Sequence, residues 1–212
     1  MQAEYLHIQK VYEGFIPERN YYPLSYSLDF QRNFHRAPRD FAPRFGQNLQ
    51  LELNHTPFDD SANSYFSLYS GLFLPGIRPH HSFQLHFNYE QRTIEEYIFP
   101  GNRYFVRGYD YEIFDNISRL TIDYKLPLFY PDWNFLSLLY IKRIRSGIFY
   151  DHGIASRNAQ DHILRSTGTE LTFDFNLFNL PYTISSGVRL TKCLDRSKDY
   201  VYSLLLLGIS LY

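Results

Sequence analysis

The residues with the best prospect of specific chemistry are one arginine and two aspartates in the middle of the chain. Arg107 stands in Val106-Arg107-Gly108-Tyr109, inside a long polar connection, and carboxylates follow at Asp123 and at Asp151, the latter within Phe149-Tyr150-Asp151-His152-Gly153. A guanidinium is a planar fork of donors, so beside carboxylates it makes charge-assisted and bidentate hydrogen bonds, which are stronger in a site less screened than open water. Chemistry of that kind clamps a loop and transforms no substrate. Gly108 would let the loop backbone take positive φ or pack closely, and Gly153 would do likewise just beyond its strand. The plainer alternative is a solvated loop arginine and an aspartate capping a turn.

The elements that must position these residues are strands. Leu24, Tyr26, Leu28 and Phe30 alternate with Ser25, Ser27, Asp29 and Gln31, and the same period of two recurs at 48–54, 82–90, 119–126 and 170–177. Weaker alternation covers 64–74, 136–151 and 182–191, and a last run places Val201, Leu205, Leu207, Ile209 and Leu211 on one face. About nine strands result, each near the ~10 residues of a tilted membrane strand, and 4–12 alternates well enough to be a tenth. On this parity Asp123, Arg143, Arg145, Phe149 and Asp151 all project from the polar faces.

Composition supports an all-β chain. Among 212 residues, 20 are Tyr and 19 are Phe, with a single Met and 44% hydrophobic residues, a composition rich in strand formers and too apolar for disorder. A soluble sandwich would alternate as well, but its outer face is usually decorated with Ser and Thr. Here the polar face carries Asp29, Glu52, Glu90, Arg119, Asp123, Arg145, Glu170, Asp174 and Arg189 in mid-strand. Charges mixed with amides suit a wet lumen, and an opposite face of Leu, Ile, Phe and Tyr suits lipid. The predicted fold is an antiparallel up-and-down transmembrane β-barrel over residues 1–212. Prolines punctuate the connections 35–44, 75–80, 127–134 and 178–181, which read as the periplasmic turns. The connections 55–63, 91–117, 152–166 and 192–199 read as the external loops. Tyr21, Tyr22, Phe129, Tyr130, Trp133 and Tyr182 then fall at strand ends as interfacial aromatics.

Other chemistries are weakly supported. Ser82 and His86 share a luminal face, whereas an esterase acting on lipid needs its nucleophile at the lipid boundary. The adjacent His80 and His81 point to opposite faces and make a poor metal pair. Cys193 lacks any partner cysteine and reads as a bystander thiol in a loop. A net charge of −1 gives no bulk reason to expect nucleic acid. No enzyme activity, metal or cofactor is expected.

Taken together, the motifs at 106–109 and 149–153 resemble two signatures of the outer-membrane assembly-factor and bacterial surface-antigen superfamily. The first is similar to that family's Val-Arg-Gly-Phe/Tyr tetrapeptide, borne on an external loop that folds into the lumen. The second is similar to its Phe-x-Asp-x-Gly motif on the wall that receives the loop. Asp123-Tyr124-Lys125-Leu126-Pro127-Leu128 looks like the strand following that loop, and five strands follow here as in the family's 16-stranded barrel. The likeness spans roughly 80–212. It implies that Val106, Arg107, Gly108 and Tyr109 dock against Asp123, Phe149, Asp151 and Gly153, that the chain is the C-terminal part of a longer barrel, and that it inserts or translocates proteins at the outer membrane. The implied partners are outer-membrane lipid, unfolded outer-membrane proteins and periplasmic modules; a passive pore or a membrane anchor is the alternative. The N-terminus lacks signal-peptide character, so an export signal is expected outside the chain. Gly208, Leu211 and the terminal aromatic Tyr212 form an expected C-terminal targeting signal, although Tyr212 is out of phase with the apolar face.

Overall fold

The computed structural model describes residues 2–3, 6–7, 20–21, 24–34, 42–57, 63–93, 105–110, 112–136, 138–178, 180, 182–195 and 200–211, with backbone alone at 2–3, 6–7, 20–21 and 204–211. Every regular element among them is a strand. Three short pieces come first: β1 (Gln2–Ala3), β2 (Leu6–His7) and β3 (Asn20–Tyr21). Long strands follow as β4 (Leu24–Asn33), β5 (Gly46–His55), β6 (Ser64–Pro75), β7 (Ser82–Arg92) and β8 (Asn116–Phe129). After β9 (Trp133–Phe135) come β10 (Leu139–Arg157), β11 (Gln160–Leu177), β12 (Tyr182–Cys193) and β13 (Tyr200–Leu211).

The long strands form one antiparallel meander in the order β1-β4-β5-β6-β7-β8-β10-β11-β12-β13, with β9 pairing β10 off this path. β2 and β3 pair with each other. Each long strand neighbours the next in sequence, β7 and β8 included although residues 93–115 separate them. Among the described residues β13 has no second neighbour, so the sheet is open.

Curvature and amphipathicity follow from which side chains meet. Gln31 of β4, Asn48 of β5, Phe73 of β6, Gln84 of β7, Lys125 of β8 and Arg145 of β10 line one cavity of about 770 Å³, so six strands bend around a common hollow. The concave face is the polar one. Asp151 and Asp174 are 0% exposed, and Gln84, Asn88, Thr121, Asp123 and Thr172 are buried with them. The opposite face leaves Leu28 at 58%, Ile148 at 56% and Val188 at 53% exposed, with Phe30, Leu120 and Ile163 similarly open. Large exposed apolar patches mark contact surfaces. Parity assigned these faces from sequence for β4, β5, β7, β8, β10 and β11, and the pairing between them keeps the apolar positions on one side of the sheet.

Four expectations are corrected. The external loop placed at 152–166 is strand: β10 runs to Arg157, a two-residue turn follows, and β11 starts at Gln160. Asn158 (φ 51°) and Ala159 (φ 60°) both take left-handed backbone, the pair a type I′ hairpin turn requires, without the glycine that usually announces it. Gly153 therefore lies inside β10 rather than beyond a strand. The single apolar face expected along 201–211 is divided by a register shift: Ser185 pairs with Gly208 and Ser186 with Leu206, leaving Leu207 as the extra residue. Val201 and Leu205 pair with the concave positions Thr191 and Gly187, while Tyr202 is 79% exposed. Of the tenth strand expected over 4–12, the described residues Leu6–His7 form β2, which pairs with β3 apart from the main sheet; the strand that pairs with β4 is β1, where Ala3 meets Leu24, and residues 4, 5 and 8–12 lie outside the described residues. Of the interfacial aromatics, Phe129, Trp133 and Tyr182 are exposed, and Tyr130 packs edge-on to His80.

Candidate functional site

Residues 105–110 lie on the concave face, held by four strands. Tyr109 N–H donates to Val106 O at 3.3 Å and Gly108 has φ 87°. This is a tight turn with a left-handed third residue, the position where glycine carries no steric cost. A Cβ on Gly108 would lie 2.6 Å from Thr191 Cγ2 and 3.1 Å from Cys193 Sγ, so close approach to β12 also requires glycine there. The turn throws Val106 and Arg107 toward the sheet.

Arg107 is fully engaged. Its Nε donates to Asp151 Oδ2 at 2.8 Å and its Nη2 to Asp151 Oδ1 at 2.8 Å, a bidentate fork. Its backbone N–H reaches Asp151 Oδ2 at 3.1 Å. Nη1 donates to Asp123 Oδ1 at 2.9 Å and to Glu170 Oε1 at 3.3 Å. The guanidinium carbon stands 3.7 Å from the centre of the Phe149 ring, close enough for a cation–π contribution. Burial opposes the guanidinium charge, yet hydrogen bonds to Asp151 and the charge of Asp123 outweigh it and raise the Arg107 pKa above its ordinary value.

The register explains the convergence. Phe149 pairs with Asp123 on β8 and with Gly168 on β11. Gly168 leaves room for the Phe149 ring, since a Cβ there would lie 2.7 Å from Phe149 Cζ. Gly153 performs a parallel role for the loop: its Cβ would fall 2.5 Å from Val106 Cγ2, and Val106 fills that notch at 1% exposure. Tyr109 Oη donates to Arg165 O at 3.0 Å and to Asp195 Oδ2 at 3.1 Å. At this rim Arg165 also pairs with Asp195 at 2.7 Å. Burial opposes the Asp195 charge, but the Arg165 hydrogen bonds dominate and hold its pKa below the ordinary carboxylate value. Burial and Asp195 together push the Tyr109 phenol up.

The structure thus brings Val106, Arg107, Gly108, Tyr109, Asp123, Phe149, Asp151 and Gly153 into one cluster. Sequence reasoning missed Glu170 as the third carboxylate, Arg189, whose Nε donates to the same Glu170 Oε1 at 2.7 Å, and Arg119, which donates to Phe105 O. It also misread Cys193. That residue ends β12 fully buried and its thiol donates to Gly108 O at 3.2 Å, so it is a packing contact of the loop and no bystander. Its phase with Arg189 and Thr191 is the signal that could have found it.

The remaining candidates fall elsewhere. Ser82, Gln84 and His86 form a concave ladder, with Gln84 Nε2 donating to Ser82 Oγ at 3.1 Å and His86 Nε2 3.4 Å from Gln84 Oε1. His86 Nδ1 meets Tyr69 Oη at 3.0 Å, so amide and phenol occupy both ring nitrogens. No group of three or more His, Cys, Asp or Glu suited to a metal occurs among the described residues. Gly208 and Leu211 lie in β13 opposite Ser185 and Tyr182, and Tyr212 lies outside the described residues. Comparison with family models, curated proteins and solved structures finds no match to this chain.

Proposed function

We propose that this chain forms wall of a transmembrane β-barrel in a bacterial outer membrane and acts in the insertion or translocation of proteins there. The observation that supports it best is the Arg107 clasp: a loop arginine buried against Asp151, Asp123 and Glu170 on a polar concave face whose reverse exposes Leu28, Leu120, Ile148, Ile163 and Val188. Lipid is the solvent that favours such a surface, because it solvates Leu28, Ile148 and Val188 without the free-energy cost that water imposes. The motifs at 106–109 and 149–153, which resemble those of the assembly-factor and surface-antigen superfamily, supply the link to protein insertion. On this reading the partners are outer-membrane lipid, unfolded outer-membrane proteins and periplasmic modules.

The test is reconstitution of the full-length protein in liposomes with an unfolded β-barrel protein as substrate. Insertion faster than in empty liposomes, and slowed by Arg107→Ala, is the expected result. An insertion rate equal to that of empty liposomes contradicts the assembly role, and steady ion conductance without insertion activity would identify a passive pore.

A further inference from the structure

Beside the clasp, and sharing Arg107 and Glu170 with it, lies a second feature. Arg107, Lys125, Arg145, Glu170, Thr172 and Arg189 line a hollow of about 100 Å³. Its carboxylates are already committed. Glu170 Oε1 accepts from both Arg189 and Arg107. Neighbouring Asp174 accepts from Arg145 Nη2 at 2.7 Å, from Arg143 Nε and from Ser185 Oγ at 2.6 Å. Each of these acids thus faces two guanidiniums, while Asp123 and Asp151 serve the rest of the Arg107 fork. Lys125 shares the polar phase of Asp123 and pairs across the ladder with Gly147, where the missing side chain makes room for the Lys125 stem: a Cβ there would stand 3.3 Å from Lys125 Cγ. It makes no ion pair among the described residues. The charge of Lys125 is therefore the one in this recess without an acid partner among the described residues, and it stands beside Arg145 and Arg189 where screening is weaker than in bulk water.

Lys125 and Arg145 line both this hollow and the 770 Å³ cavity, so the two adjoin. Ala42 and Pro43, in the turn connection between β4 and β5, line that cavity together with Gln31, Asn33, Asn48 and Gln84. Side-chain amides offer both donors and acceptors, the complement of an extended peptide backbone. The 100 Å³ hollow has room for one anionic head group and little else.

We propose that Lys125, Arg145 and Arg189 form an anion subsite that takes a carboxylate side chain of an extended acidic peptide segment admitted from the adjoining cavity. Only the source of such a peptide rests on the protein-handling function; the subsite itself rests on the charge of Lys125. The experiment is calorimetric titration of the full-length protein in neutral detergent at low salt with a five-residue capped peptide, Gly-Ser-Glu-Gly-Ser, and with its Gln counterpart. The Glu peptide is expected to bind about tenfold more tightly than the Gln peptide, the loss of one charge-assisted contact. Lys125→Gln abolishes most of that preference, Lys125→Arg retains it as a control for folding, and Lys192→Gln, on the opposite face, leaves it unchanged. Equal binding of the two peptides, or a preference indifferent to Lys125→Gln, overturns the subsite. Inorganic phosphate binding as tightly as the Glu peptide overturns the peptide assignment. A Glu-specific site in a protein inactive in the liposome assay would sink the insertion function and leave the subsite standing; the opposite pattern would do the reverse.

Discussion

Replacing Arg107 with alanine should free the loop from the concave face, and the structure sets the scale. Asp151 is fully buried and would keep only the backbone N–H of residue 107 from the loop, at 3.1 Å. Asp123 and Glu170 would face it with their common counter-charge gone. Breaking a buried pair on one side typically costs ~3–5 kcal/mol, because an uncompensated charge remains. Loss of the contact with Phe149 adds roughly 0.5–1 kcal/mol. Asp151→Ala should cost a similar amount by stranding the guanidinium, which would retain Asp123 and Glu170. The double variant removes both ends of the fork, so its cost should fall short of the sum by about 2–3 kcal/mol. Arg107→Lys restores charge without the planar fork and should recover only part of the loss. The assay is hydrogen exchange of residues 105–110 in micelles, which reads the free energy of local opening. Costs that add to within ~0.5 kcal/mol would refute the buried fork.

Two further predictions concern the docking surface. Gly153→Val places a side chain where Val106 Cγ2 now sits, 2.5 Å from the new Cβ, so loop protection should fall by about 1–3 kcal/mol; Val106→Ala in the same chain should restore part of it, and an unchanged loop would show that the notch is not occupied as described. At the rim, Asp195 has a depressed pKa in the folded state. Its stabilisation is present above the unfolded carboxylate pKa and is lost as pH falls through the folded one. Acidification below the ordinary carboxylate range should therefore increase exchange near Tyr109, and Asp195→Asn should remove that pH dependence; a pH response that survives the substitution contradicts the assignment.

Much of the architecture was legible because one rule, the period of two, acts on every residue of a strand and needs no tertiary information. Parity alone put Asp123 and Asp151 on the same side as a loop long enough to return to them. What escaped depended on register between distant strands. Glu170 becomes the third acid only because Gly147 pairs with it while Phe149 pairs with Gly168, and no pattern within β11 states that alignment. The long β10–β11 hairpin was hidden by a turn of Asn158 and Ala159, left-handed without glycine, and by polar residues that made 152–166 read as loop. The divided phase of β13 arises from one extra residue at Leu207, which sequence periodicity averages over.

The central claim, that the apolar face meets lipid and the polar face a lumen, is tested most directly by where single tryptophans report. The chain has one tryptophan, Trp133, so in a Trp133→Phe background Ile148→Trp and Gln50→Trp each give one reporter, on the convex face of β10 and the concave parity of β5. In liposomes with brominated acyl chains, Ile148→Trp should be blue-shifted and strongly quenched, while Gln50→Trp should be red-shifted and spared. Quenching of Gln50→Trp with Ile148→Trp spared would invert the faces, and protection of both from bromine would contradict a membrane-spanning sheet.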